Sequence, residues 1–598
     1  MKKILSVMLA LALVLSSFIF TGVTAAAAGG DITDGLTWSF DENTGLLTIS
    51  GTGEIPDYGD IGEFDMPWGD YAFNVKSLVI GEGVTRIGSG AFAVFVMLES
   101  VSFPSTLKSI GEYAFAYCAK LESVTLDGIE EIGAYAFMGC SGEACAYDLG
   151  FDVPEERTGL EYVTINGSEA VIGEGAFMTC FELDSVKLDG VLEIKESAFA
   201  FSSSFGYAFI SGFALPEEHS GLKHLEITGD GVRIRVGAFC LNTELTELEF
   251  DGVSVFEQEA FSYCINLKSI IFSKVERIES GAFVACSGAA LNSVFGTDIF
   301  DETKGLTEIS INGNNATLLD GSFSLNPMLK DITLNGIAYA EPGVFSETAY
   351  ALNTENYKNG LLYYGDMLLD IITDATDQKN GSLTYSDILY TLFNEKIGSR
   401  FVVVPGTKSI IGGCFGNIED YDVYIPADVE TIYPDAFGNY GITIFGEEGS
   451  AAESYADEYD VPFKPAYIFS NDEMPVNYDE NVIFFDGETE PSVLDCFFTS
   501  TGRTLEVNAS SDYCRTGDTV TVKDGDTVKA VYTVAVKNDL NGDFICDVLD
   551  IALAETLMSG SREADGAQIL AAKGSADYLT DYEITADDYQ ALVNNALA

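Results

Sequence analysis

From Val75 to Phe437 the chain restates one phrase of about 22 residues. Its clearest copies run from Leu98 to Phe115 (LESVSFPSTLKSIGEYAF) and from Leu121 to Phe137 (LESVTLDGIEEIGAYAF). An apolar residue followed four and five places later by a small residue and Phe marks Phe92, Phe115, Phe137, Phe177, Phe199, Phe239, Phe261, Phe283, Phe323, Phe345, Phe415 and Phe437. The gaps between them are 23, 22, 40, 22, 40, 22, 22, 40, 22, 70 and 22 residues. A period of 20 to 29 with one short strand per unit is the mark of a leucine-rich solenoid.

The strand part reads Leu-x-x-Val-x-Leu, as in Leu121, Val124 and Leu126 or Leu183, Val186 and Leu188. Alternate side chains then point inward while Glu, Ser, Lys and Thr face out. Asp127-Gly128, Asn166-Gly167, Asp189-Gly190, Asp251-Gly252, Asn312-Gly313 and Asn335-Gly336 follow as turns, with Gly expected to supply a positive φ. The chain returns through Ile-Gly-x-x-Ala-Phe. One such coil cannot hide its own apolar edge, so twelve are expected to stack in parallel register, about 4.8 Å apart and roughly 55 Å long.

These residues resemble the BspA-like leucine-rich repeats of bacterial surface and secreted proteins, whose core stands here as Ile110-Gly111-Glu112-Tyr113-Ala114-Phe115. The resemblance implies a β-rich, right-handed solenoid and, commonly, adhesion or ligand capture.

At 598 residues, 47% of them hydrophobic, the chain has material for a solenoid and further small domains. Lys2 and Lys3, an apolar run from Ile4 to Phe20 and Thr24-Ala25-Ala26-Ala27-Ala28 form a secretory signal peptide with cleavage between Ala26 and Gly29, so the protein is expected outside the cell. No second run of about 18 apolar residues is present, so no transmembrane segment is predicted. Taking Lys2 and Lys3 from the 30 basic residues leaves 28 against 94 acidic ones. Such a chain repels phosphate backbones, which argues against nucleic acid as a partner. Of the 11 cysteines, Cys118, Cys140, Cys180, Cys264 and Cys286 each fall three residues after a repeat Phe. That placement predicts a buried ladder of small apolar side chains, with disulfides the alternative that export would permit.

Before the repeats, Asp31 to Tyr58 alternates through Leu36, Trp38 and Phe40, turns at Asn43-Thr44-Gly45, and alternates again through Leu47 and Ile49, predicting a hairpin over the first coil. The three 40-residue gaps hold insertions at one station, Ser141 to Thr158, Phe201 to Ser220 and Cys286 to Lys304, each returning to a Gly-Leu pair. They form either a self-packing layer or a recognition ridge for a protein or glycan, for which Tyr147, Phe151, Tyr207, Phe209 and Phe213 are the candidates. The 70-residue gap resembles the strand hairpin that interrupts such solenoids, and Gly449 to Lys464 reads as a closing helix and strand. The domain reading is 1–28 signal peptide, 29–74 N-terminal β cap, 75–446 solenoid with insertions, 447–465 C-terminal cap, 466–536 small β module and 537–598 a small α-helical calcium-loop domain.

That tail carries the chemistry. Asp539, Asn541, Asp543, Asp547 and Asp550 stand at loop positions 1, 3, 5, 9 and 12, with the Ile545 carbonyl at 7, ahead of an apolar helix pattern. A hard cation takes six to eight such oxygens, and Ca2+ is the natural candidate. A second copy offers Asp577, Leu579, Asp581, Thr585 and Asp588 before Tyr589. Two such loops, each opening a helix, resemble a dockerin, the EF-hand-like module that docks exported proteins on a cohesin of a cellulosome-type scaffold. The resemblance places cohesin contacts at Val548 and Leu549 in the first copy and at Ala586 and Asp587 in the second. The chain departs from the family at position 6, where Phe544 replaces Gly, and at Leu579, a ligand position.

Catalytic groups are sparse. His219 and His224 are the two histidines, too few for a three-histidine zinc site, and no Gly-x-Ser-x-Gly elbow or phosphate-gripping glycine loop occurs. The reading is a secreted, non-catalytic binding protein with a calcium-dependent cohesin dock. The alternatives are a polysaccharide-degrading component of the same kind of scaffold, and a purely structural solenoid with a degenerate dockerin.

Overall fold

The computed structural model describes residues 28–598 apart from 60, 63, 151–157, 204, 207, 209–219, 342, 359–360, 366, 372–399, 416–420, 438–440, 470–475, 479–480, 487–488, 492–498, 544–545, 547, 560–561, 564–565, 574–583 and 597–598. The chain divides into two units, Met1–Thr354 and Glu355–Ala598.

In the first unit eleven strands form one sheet, and the coil-to-coil pairing is parallel throughout. From the third coil onward each coil contributes a single bent strand, as in Ser123–Ile132, Tyr162–Ile172 and Ser185–Ile194. Val163 lies opposite Val124 and Val186, and Ile165 opposite Leu126 and Leu188, so the apolar alternation stays in register between coils. These side chains are all but fully buried. A one-residue slip would turn the whole set to solvent, which is why the pattern fixes the register.

The Asp-Gly turns are corners within these strands, and the ladder runs through them with a shift in register. Gly128, Gly190, Gly252 and Gly336 have φ between +67° and +81°, as predicted. Gly167 and Gly313 do not. Their strands are 11 residues long, and the left-handed residue moves to Glu169 (φ 59°) and Asn315 (φ 52°). Glycine is required there for space, because an added Cβ would sit 2.5 Å from the Cβ of Ala170 or Ala316.

Ten of the twelve marker phenylalanines, Phe92 to Phe345, form one continuous ladder in this unit. Successive rings are 4.8 to 5.8 Å apart and inclined by 2 to 22°. The small residue before each Phe lets the coils approach: Phe115 N–H donates to the Ala136 carbonyl and Phe137 N–H to that of Ala176, both at 2.7 Å. The winding needs a left-handed residue two places before the Phe. Glycine fills it at Gly90, Gly175, Gly237, Gly281, Gly321 and Gly343, whereas Tyr113, Tyr135, Ser197 and Glu259 accept φ of 54 to 57°. Each of these side chains costs about 1–2 kcal/mol that packing must offset.

Trp68 closes the ladder at its N-terminal end. Its ring stacks on Phe92 at 5.3 Å and its indole N–H donates to the Ala91 carbonyl at 3.0 Å, which satisfies a fully buried tryptophan. The predicted hairpin, Leu36–Asp41 with Leu46–Gly51, pairs in parallel with the first coil strand Ser77–Ile80 and buries Leu36, Phe40, Leu47 and Ile49. Residues 1–27, which hold most of the signal-peptide reading, lie outside the described set, and the first described strand is Ala28–Thr33.

The station three residues after the Phe is more than apolar filling. Cys118, Cys140, Cys180, Cys264 and Cys286 are buried and free, and each thiol donates to the carbonyl of the preceding coil's Phe at 3.2 to 3.4 Å. Ser202, Asn242 and Asn326 occupy the same station and donate to Phe177, Phe199 and Phe283 carbonyls at 3.2, 2.9 and 2.9 Å. The expected apolar ladder is therefore a hydrogen-bonding one. No disulfide joins two of the described cysteines.

The insertions leave from one station, as read. Ser141–Gly159, Ser203–Gly221 and Ser287–Gly305 each form an antiparallel bridge at the base. Ser141 and Ser287 then cap helices Gly142–Leu149 and Gly288–Phe295, accepting from Glu143 N–H and Ala290 N–H.

In the second unit, the Phe415 and Phe437 rings lie 4.9 Å apart, tilted by 31°, and strands Leu361–Tyr364 and Met367–Ile371 form the expected hairpin. Helix Ala451–Tyr459 and strand Phe463–Pro465 close these coils. A five-stranded sheet follows, built on Val482–Phe485, Thr527–Val536, Thr519–Asp524 and Arg503–Asn508. It is fastened to the last coils: Arg503 makes a paired contact with the buried Glu447 at 3.1 and 2.7 Å, and Thr501 N–H donates to Asp428 at 2.8 Å. Helices Val548–Met558, Gly566–Lys573 and Ala586–Ala596 end the chain.

Candidate functional site

The tail places Asp539 and Asp550 at the two ends of a closed loop, 3% and 0% exposed. Asp550 sits in the first turn of helix Val548–Met558, and its Oδ1 accepts from Leu540 N–H at 2.9 Å and Asn541 N–H at 3.1 Å. Asn541 and Asp543 are knotted together: Asn541 Oδ1 accepts from Asp543 N–H at 2.8 Å, and Asn541 Nδ2 donates to Asp543 Oδ2 at 3.0 Å. Gly542 between them has φ +76° and makes the bend. The donors are all oxygens, and two buried carboxylates in one loop are the kind of set a hard divalent cation takes. Asp547 and Ile545 lie outside the described residues, and among the described ones no three His, Cys, Asp or Glu side chains converge as a metal group.

Of the second copy, Asp577, Leu579 and Asp581 lie outside the described residues. Asp588 is committed locally, since its Oδ2 accepts from Thr585 N–H and Oγ1 at 2.8 and 2.6 Å and lies 3.5 Å from the Lys573 ammonium. Leu549 is 57% exposed, and Ala586 and Asp587 are exposed at the start of the last helix; the Val548 side chain is not described.

The helices do not stand apart from the β module. Val482, Phe484 and Ala535 of the sheet bury with Leu540, Ala554, Leu557, Leu570, Ala571 and Leu592 in one core, on both sides of residue 536. Sequence reasoning missed this joint. Its trace in the sequence is the apolar run Val482–Phe485, which is buried on both faces where a sheet with one face in water would show alternation.

On the repeat unit, the outward positions of the parallel strands form a polar field knitted across coils. Asn166 Nδ2 donates to Asp127 at 2.7 Å, Asn335 Nδ2 to Asn312 at 3.0 Å, and Lys187 pairs with Glu226 at 2.8 Å. Tyr162 and Ile271 stand exposed on it. His224 pairs with Glu247 at 2.8 Å, while His219 lies outside the described residues. On the insertion side Tyr147 is 44% exposed; Phe151, Tyr207, Phe209 and Phe213 lie outside the described residues. Phe205 of the second insertion packs edge-on against Phe295 and Phe300 of the third, so part of this layer is its own core. Burial pushes the Cys140, Cys180 and Cys264 thiols well up, and Cys286 to about 12, which leaves them without thiolate character at neutral pH.

A family model described as the BspA type leucine rich repeat region matches residues 69–144, 156–217, 210–290 and 291–368, in six copies. The matched stretches are similar to BspA-type leucine-rich repeats. Among solved structures the chain is similar to a leucine-rich repeat protein from Eubacterium ventriosum ATCC 27560, at 18% identity over 56% of this chain and 99% of that one, with a TM-score of 0.26. It is also similar to a leucine rich cell surface protein from Faecalibacterium prausnitzii A2-165, at 19% identity over 73% of this chain and 98% of that one, with a TM-score of 0.27. A leucine-rich repeat protein from Bacteroides ovatus ATCC 8483 shows 16% identity over 73% and 99%, with a TM-score of 0.25. No curated protein matches the chain. In the described residues no helix is long and apolar enough to cross a membrane.

Proposed function

We propose that this is an exported, non-catalytic binding protein whose repeat coils present a rigid face to a protein or glycan, while its last 60 or so residues form a calcium-ordered, dockerin-like dock for a cohesin-bearing scaffold. The observation that carries the second half is the closed loop from Asp539 to Asp550, with buried carboxylates at both ends and a helix start that exposes Leu549. Cation binding at such a loop neutralises two charges that burial otherwise disfavours, and so orders the helix start that would meet a partner. The pairing of Asp588 with Lys573 favours one cation per chain, held by the first loop. The repeat array supports a binding role because stacked coils hold their outward residues at fixed spacing without a hinge.

Calorimetric titration of the full chain with Ca2+ tests the dock, with one saturating site expected and no heat at millimolar metal counting against it. Incubation with plant polysaccharides tests the non-catalytic reading: reducing ends released above blank would overturn it. A glycan and protein array probed with the full chain addresses the ligand.

A further inference from the structure

We propose that Thr516, in the β module and outside the loop itself, is a positioning residue for the cation of the first loop, so that the module as well as the loop sets the affinity. This rests on the calcium reading of Asp539–Asp550.

Thr516 is 9% exposed and lies in the turn Arg515–Asp518, just ahead of strand Thr519–Asp524. Its backbone N–H donates to Asp539 Oδ2 at 3.3 Å. Its hydroxyl accepts from Val536 N–H at 2.8 Å and lies 3.3 Å from the Val536 carbonyl, three residues before the first ligand. One residue therefore grips both the strand that delivers Asp539 and the carboxylate itself. The turn is rigid in its own right: Asp518 Oδ2 accepts from Arg515 N–H at 2.8 Å, and Gly517 N–H donates to the Val534 carbonyl at 2.9 Å. Contact is close on the other side as well, because a Cβ on Gly542 would sit 2.5 Å from the Thr516 carbonyl. Asp539 and Gly542, at the start of the loop, are thus seated against the turn. A carboxylate ligand whose rotamer is fixed before the ion arrives loses less freedom on binding, and outer partners of this kind are worth about 10- to 100-fold in metal affinity.

The test is calorimetry of the full chain with Ca2+, comparing wild type with Thr516→Val, which keeps the shape and removes the hydroxyl, and with Thr516→Ser, which restores it. Affinity is expected to fall about tenfold or more in the valine variant and to return to within about twofold in the serine variant. A residue that only stabilised the fold would lower the metal-free melting temperature and leave affinity unchanged. Equal affinities for wild type and the valine variant therefore overturn this inference while leaving the calcium reading intact; no binding by wild type overturns both. Should the valine variant not fold, Asp518→Asn loosens the same turn with Thr516 in place, and unchanged affinity there would likewise refute the proposal.

Discussion

Asn242 offers the sharpest test of the hydrogen-bonding ladder. It is fully buried, and its Nδ2 donates to the Phe199 carbonyl at 2.9 Å and to the Phe239 carbonyl at 2.8 Å. Its Oδ1 is buried with no hydrogen-bond partner among the described residues. Replacing Asn242 with Val removes the donor; the buried Phe199 carbonyl loses its partner, at about 1–3 kcal/mol, whereas the Phe239 carbonyl keeps the Cys264 thiol at 3.4 Å and loses about 0.5–1.5 kcal/mol. Removing the unpaired Oδ1 returns about 1–2 kcal/mol of desolvation, so the net loss centres on about 1.5 kcal/mol. Cysteine at this station keeps one thiol-to-carbonyl contact, as at Cys264 and Cys286, and also removes the Oδ1, so Asn242→Cys is expected to change stability by less than about 1 kcal/mol. Both tryptophans, Trp38 and Trp68, lie in this unit, and Trp68 stacks on the end of the Phe ladder. Urea unfolding followed by tryptophan fluorescence therefore reads the repeat array. Equal midpoints for the valine and cysteine variants would refute the reasoning, because only the cysteine keeps a donor for the Phe199 carbonyl.

Ser197→Gly should stabilise the array by about 0.5–1 kcal/mol in the same assay, since Ser197 sits at φ +54° where six other coils use glycine. Arg503→Ala leaves Glu447 buried without its guanidinium and should cost about 3–5 kcal/mol in the second unit, seen as early protease cleavage between the coils and the β module. Burial raises the Cys286 thiol from 9.0 and the Tyr532 hydroxyl from 10.0, each to about 12. The folded state holds these protons more tightly than the unfolded chain, so their contribution is intact below pH 9 and is lost as pH rises from 9 to 12. Denaturation midpoints should fall across that window, and a flat profile would contradict the burial of these groups.

Much of the repeat unit could be read in the chain because its signals are periodic and steric. The Phe and Leu-x-x-Val-x-Leu stations predicted the in-register core, and the Gly-Leu pairs predicted where the insertions return. What escaped depended on contacts between distant segments. Cys118 and Asn242 look unlike in sequence, yet share a station because both can donate to a carbonyl from a small side chain. The left-handed pair formed by Tyr113 and Tyr135 carries no glycine to announce it. The seat of Asp539 on Thr516 joins residues 23 apart through a backbone N–H, which no residue type advertises. For the tail, spacing of oxygen-bearing side chains was legible, whereas its shared core with Val482 and Phe484 was not.

The central claim, a rigid repeat platform parked by a metal-ordered terminus, is met most directly by passing the full chain over an immobilised cohesin panel in Ca2+ and then in chelator. The account predicts retention on at least one cohesin in calcium, release on chelation, and loss of retention in Asp539→Ala. Failure of every cohesin to retain the chain at millimolar calcium, or retention that chelator and Asp539→Ala leave untouched, would contradict it.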